Sequence, residues 1–167
     1  MLPAKEPIRT RRTLRERGDP HREPRHEREN AVCANCGAVL HHGRWAYDET
    51  RRQTLLATEQ ARETLCPGCQ RAREGLPEGV VSLTGEYLAE HEAELLSTIW
   101  THAKAANRKD PTQRIIDALR DGERLEIWTT TPRLAQKLGR ALSDAYKGSL
   151  KHNFSRGDRL LRIEWRR

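Results

Sequence analysis

The chain has 167 residues, of which 33% are charged and 35% hydrophobic, with a formal net charge of +7 and a pI near 9.6. That length suits one or two small domains, and so polar a composition cannot build a core throughout. No stretch approaches the length of a membrane-crossing helix, and the basic balance points to an anionic partner.

Residues 1–30 carry nine basic and six acidic side chains and four prolines. Only Met1, Leu2, Ala4, Ile8 and Leu14 are apolar. Such a segment buries too little surface to offset its ordering entropy and is expected to be disordered. Arg9, Arg11, Arg12, Arg15 and Arg17 would make it a basic arm, either lying along a phosphate backbone or simply solvated. No apolar run follows Met1-Leu2-Pro3-Ala4-Lys5, so a secretory leader is not expected and a cytoplasmic location is.

All four cysteines fall in the next segment, residues 31–73. Cys33-Ala34-Asn35-Cys36-Gly37 and Cys66-Pro67-Gly68-Cys69 each have the CxxC spacing that lets two thiolates grip one ion from a tight turn. Gly37 and Gly68 would supply the backbone freedom of those turns. Two such pairs predict one tetrahedral four-cysteine zinc site, with Zn²⁺ as the bound ion. Three other readings are open. Cys66 and Cys69 could form a redox pair, the four could form two disulfides, or His41 or His42 could replace a cysteine. Ala38-Val39-Leu40 and Trp45-Ala46-Tyr47 flank His41-His42-Gly43-Arg44 and predict a hairpin. Asp48 to Thr64 reads as a helix or an ordered loop. A module this small needs its metal to fold. Trp45 and Tyr47 would cover the site or offer a stacking face to a base.

A connector at residues 74–79 leads to an α+β domain at residues 80–167. Val80-Val81-Ser82-Leu83-Thr84 predicts a strand, with Thr84 capping a helix from about Glu86. Leu88, Leu95, Leu96, Ile99, Ala103 and Ala106 form its apolar stripe, and Pro111 stops it. Arg114 to Leu119 suits a strand better than a short helix, because Asp121-Gly122 is a hairpin turn. Leu125, Ile127 and Thr129 alternate with polar partners as a half-buried strand should. Thr131-Pro132 starts a second helix, with Leu134, Leu138, Ala141, Leu142 and Ala145 inward and Gly148 at its end. A terminal hairpin turns at Ser155–Asp158, and Leu161, Ile163 and Trp165 alternate along its last strand. The order predicts an α+β sandwich of ferredoxin-like type behind an N-terminal zinc ribbon.

Residues 133–167 hold ten Lys/Arg against three Asp/Glu, whereas residues 80–132 hold six against nine. Arg133, Lys137, Arg140 and Lys147 line the outer face of the second helix. Lys151, Arg159 and Arg162 lie on the terminal hairpin. One sign of charge over a helix and a neighbouring strand can track a phosphate backbone, and these seven are the candidate RNA-binding residues. Amides at Thr129-Thr130-Thr131 could also meet a phosphate, though an ordinary cap has the same sequence. Catalysis finds no support. There is no phosphate-cradling glycine loop ending in Lys-Ser/Thr, and Glu90-His91 with Glu94 lacks the second histidine of a zincin. No catalytic residue and no small-molecule substrate are expected.

Cys33-Ala34-Asn35-Cys36-Gly37, Gly43-Arg44-Trp45 and Cys66-Pro67-Gly68-Cys69-Gln70-Arg71 carry a resemblance to a known family. Pro77-Glu78-Gly79, Leu83-Thr84-Gly85 and Thr129-Thr130-Thr131 before Leu134-Ala135 extend it. The pattern resembles a little-characterised bacterial zinc-ribbon family similar to the archaeal and eukaryotic export adaptor of the large ribosomal subunit. It covers residues 31–167. The resemblance implies a cytoplasmic zinc protein that binds ribosomal RNA or the large subunit. The eukaryotic adaptor has more cysteines in its zinc region and a tail with nuclear transport signals. Neither is present here, so export is not implied. The expectation is a non-enzymatic, zinc-holding RNA-binding protein. The alternative is a protein–protein adaptor docking through its zinc module.

Overall fold

A computed structural model describes residues 30–154 and 160–167. The expected disordered arm, the turn at 155–158 and Arg159 lie outside the described residues. The described residues form an α+β protein with two mixed sheets and four helices.

The first sheet is built from very short strands. β1 (Ala31–Cys33), β2 (Val39–His41), β3 (Arg44–Ala46) and β4 (Arg62–Thr64) lie in the order β3-β2-β1-β4. β2 and β3 form the expected hairpin, with Leu40 opposite Trp45 and His41 opposite Arg44. The turn places His42 at φ 49° and Gly43 at φ 73°. β4 pairs parallel to β1, which the intervening α1 (Glu49–Ala57) makes possible. Asp48 caps α1 by accepting from Arg51 N at 2.9 Å, which ties off one orphan amide. Under this sheet the apolar filling is Val32, Val39 and Leu55, with Ala61 at its edge.

α2 (Pro67–Glu74) follows the second cysteine turn, with proline in its first turn and Gly75 in the left-handed region at its end. The second sheet then begins. β5 (Gly79–Thr84), β6 (Ile115–Asp121), β7 (Arg124–Thr129), β8 (Ser149–Phe154) and β9 (Leu161–Arg166) lie in the order β6-β7-β5-β9-β8. α3 (Glu86–Lys109) joins β5 to β6, and α4 (Pro132–Tyr146) joins β7 to β8. The β9 strand inserts between β5 and β8 and runs parallel to β5; the other pairs are antiparallel.

Alternation sorts the strand residues as expected. Val81, Leu83, Leu125, Ile127, Leu161, Ile163 and Trp165 point to the helices and are buried. Leu88, Leu95, Ile99, Ala103 and Ala106 of α3 meet them, and Thr98 Oγ1 lies 2.7 Å from the Tyr146 hydroxyl of α4. Burying each such Leu or Ile contributes about 1.5–3 kcal/mol of transfer free energy.

Three local expectations change. Thr84 does not cap α3, because it is the last residue of β5. The cap position is Gly85 at φ 109°, with no side-chain hydrogen bond. Ala145 is exposed, and the inward stripe of α4 runs through Ala135, Gly139 and Tyr146 besides the leucines. Lys147, at φ 62°, precedes Gly148 as the residue that ends α4. No helix of the described residues is long and apolar enough to cross a membrane.

Candidate metal centre and basic surfaces

The β1–β2 turn holds Cys33 and Cys36, and the β4–α2 junction holds Cys66 and Cys69. The parallel pairing of β1 with β4, which sets Cys33 opposite Thr64, brings the two turns together. The four Sγ atoms lie within 4.8 Å of one another, and Cys36 Sγ is 3.8 Å from Cys66 Sγ. Four sulfurs, each about 2.3 Å from a shared tetrahedral ion, would be about 3.8 Å apart. All four cysteines are free thiols, so the disulfide reading falls. Cys33, Cys66 and Cys69 are buried, and Cys36 is half-buried.

Amides aim at the sulfurs. Cys66 N donates to Cys33 Sγ at 3.3 Å, Cys69 N to Cys66 Sγ at 3.4 Å, and Asn35 Nδ2 to Cys69 Sγ at 3.2 Å. Burial alone would raise the Cys33 thiol, but the backbone amides of Cys66, Cys36 and Asn35 outweigh it and hold the group at about 7. Burial pushes the Cys36 and Cys66 thiols up, and the neighbouring sulfurs add to the effect. Four thiolates in one dry pocket repel, and a divalent cation removes the conflict. The donor set therefore fits a soft, tetrahedral metal ion. His41 and His42 are exposed hairpin residues outside this cluster.

The two turn glycines serve different ends. Gly37 has φ +71°, as a tight turn demands. Gly68 is helical, and its role is proximity. A Cβ there would come within 2.6–2.9 Å of three Thr112 backbone atoms. This is where the cysteine module meets the second sheet. Arg114 Nη2 donates to the Tyr47 hydroxyl at 3.1 Å, and that hydroxyl donates to Asn107 Oδ1 at 3.0 Å. Arg71 pairs with Glu78 at 2.7 Å across the connector. Burial works to lower the Arg114 guanidinium, but the Cys69 sulfur, the Tyr47 hydroxyl and the Cys36 and Cys66 sulfurs raise it above its ordinary value. Trp45 packs against the cysteines, whereas Tyr47 remains 43% exposed.

Not all the predicted phosphate-binding residues come together. Arg133, Lys137 and Arg140 share the outer face of α4; Arg133 and Arg140 are exposed, and Lys137 Nζ donates to Gln113 Oε1 at 3.1 Å. Lys147 is exposed at the helix end, its Nζ bonded to Asp144 O. Lys151 and Arg162 lie on the opposite surface of the sheet, because Leu161, Ile163 and Trp165 take the helix-facing positions of β9. There, Lys151 sits opposite Glu164, and Glu126 is one strand beyond Ser82. That face mixes signs, whereas only Asp144 interrupts the row on α4.

Thr129-Thr130-Thr131 is structural. Thr131 caps α4 at Leu134 N (3.2 Å), Thr129 Oγ1 donates to Gly79 O, and Thr130 Oγ1 donates to Thr112 O at 2.6 Å. The Glu90 and Glu94 carboxylates lie 3.9 and 3.4 Å from the His91 ring nitrogens at a kink in α3. Set against family models, curated proteins and solved structures, the chain finds no match.

Two features escaped sequence reasoning. One is the Tyr47–Asn107–Arg114 junction, which joins residues 60 and 67 positions apart. The other is Trp100, 46% exposed on α3. Its signal was present: a large aromatic off the apolar stripe, followed one and two turns later by Lys104 and Arg108.

Proposed function

We propose that the protein is a non-enzymatic zinc protein that binds RNA, with ribosomal RNA or the large ribosomal subunit in the cytoplasm as its target. Cys33, Cys36, Cys66 and Cys69 hold the zinc as a closed structural clip. A full thiolate shell keeps no open coordination position for substrate, which favours binding over catalysis.

The observation that carries the RNA reading is the cationic row on α4, with Arg133 and Arg140 exposed, the half-buried Lys137 between them and exposed Lys147 at the helix end. Its cations are spaced by about one helical turn, a spacing that suits successive phosphates of a backbone. The mixed-sign sheet face holding Lys151 and Arg162 makes a secondary contribution at most. The four-thiol cluster supports the zinc-ribbon reading; the β5-α3-β6-β7-α4-β8 element order supports a ferredoxin-like one, from which the sheet departs where β9 lies between β5 and β8 and parallel to β5.

Sedimentation with ribosomal subunits tests the reading. The zinc-loaded chain should pellet with large subunits at low salt and leave them as salt rises, because each neutralised phosphate releases counterions. A partner held equally at high salt, and proteinaceous in nature, would replace this reading with a protein adaptor docked through the cysteine module.

A further inference from the structure

Between α3 and the edge strand β6 lies a groove of about 290 Å³ that the α4 row does not include. Trp100, Lys104 and Arg108 line one side of it, on successive turns of α3. Asn107 of the same helix also lines it, and Arg114 and Ile115 line the β6 side. No carboxylate is among its lining residues. Lys104 and Arg108 are exposed and make no salt bridge within the described residues. At the small end of ligand clefts, about 300–1,000 Å³, the groove suits one nucleoside.

We propose that this groove takes one unpaired nucleotide of RNA, with its base stacked on Trp100 and its flanking phosphates held by Lys104 and Arg108. The proposal rests on the RNA-binding reading above and names a second subsite for it. Three observations carry it. The indole is 46% exposed on a helix whose other large apolar residues are mostly buried, so about half of it is open to a ligand. Every ionisable lining residue is cationic, which complements a phosphodiester and would leave an acidic or neutral peptide less well matched. Base–aromatic stacking reinforced by neighbouring cations is the general device of single-strand binding. The base must be unpaired, because a duplex keeps its bases stacked on each other.

The floor of the groove also explains why the cysteine module matters. Asn107 and Arg114 are the residues that hold the Tyr47 hydroxyl. The metal clip therefore fixes one wall of the site through Tyr47.

Binding of the zinc-loaded chain to a fluorescein-labelled oligoadenylate of about twelve nucleotides tests this, beside the same strand paired with oligouridylate. Trp100→Ala should weaken single-strand binding roughly five- to one-hundred-fold and leave duplex binding unchanged. Trp100→Phe should recover most of the loss. Trp100 is on the surface, so an unchanged Tm should accompany both variants. Equal single-strand affinity for Trp100→Ala and the parent, with Arg140→Glu still weakening binding, would overturn the groove and leave the α4 reading standing. That is also the result expected if the groove serves a protein. Failure of the parent chain to bind either oligonucleotide would overturn both.

Discussion

In the four-stranded sheet region the larger buried aliphatic side chains are Val32, Val39, Leu40 and Leu55; beneath the five-stranded sheet they run from Val81 to Trp165 and draw on two long helices. The first region places four thiols where the second places leucines. So few aliphatic side chains make a small core for some forty residues, and modules of that size generally draw on a metal or another staple to fold. On the proposed zinc reading, one region folds by burying surface and the other by coordination. The junction at Tyr47, Asn107, Arg114 and Gly68 lets the first stand on the second.

Removing the metal should break this comparison most sharply. With a strong chelator, or with Cys66→Ser, amides of β1 to β4 should lose hydrogen-exchange protection while those of β5, β7 and β9 keep theirs. Equal loss in both sheets would mean that they form one cooperative unit.

Gly68→Ala probes the junction alone. Alanine gains up to about 1 kcal/mol of helix propensity over glycine. Overpacking against neighbours costs about 1–3 kcal/mol, and here the neighbours are Thr112 backbone atoms, which no rotamer change can move. The clash should win. Exchange at Thr112–Arg114 should accelerate while zinc content is unchanged. A stabilised variant would contradict the close approach.

A smaller effect separates charge from packing at the same place. Burial would raise the Asp110 carboxyl, but hydrogen bonds from Thr112 and Gln113, helped by the Arg133 charge, hold it below the usual carboxylate range. A depressed folded-state value stabilises at pH above the unfolded value and is lost as pH falls through the folded one. The Tm gap between the parent and Asp110→Asn should therefore be widest near neutrality and shrink below about pH 4. A gap independent of pH would place the role of Asp110 in geometry alone.

Much of this was legible in the sequence because its physics is local. CxxC spacing, the Thr131-Pro132 start of α4 and the odd–even alternation of β7 and β9 each depend on a few adjacent residues. What was illegible depends on distant chain segments. Nothing near Leu161 marks β9 as the parallel neighbour of β5. Gly68 looks like a turn glycine until Thr112 is seen against it. The basic residues teach a further point. Alternation already turned Arg162 away from the face where Ile163 meets α4, yet counting positive charge along the chain merged it with Arg140. A two-layer sandwich has two outer surfaces, and only assigning every residue to a layer separates them.

The central claim is that the α4 row contacts an RNA backbone. The direct measurement is the affinity of the zinc-loaded chain for ribosomal RNA across a salt series, beside Arg133→Glu/Arg140→Glu. These two arginines are chosen because Lys137 is engaged with Gln113. The account predicts weaker binding at every salt concentration and a log–log salt slope shallower by about two. An unchanged affinity and slope would contradict it.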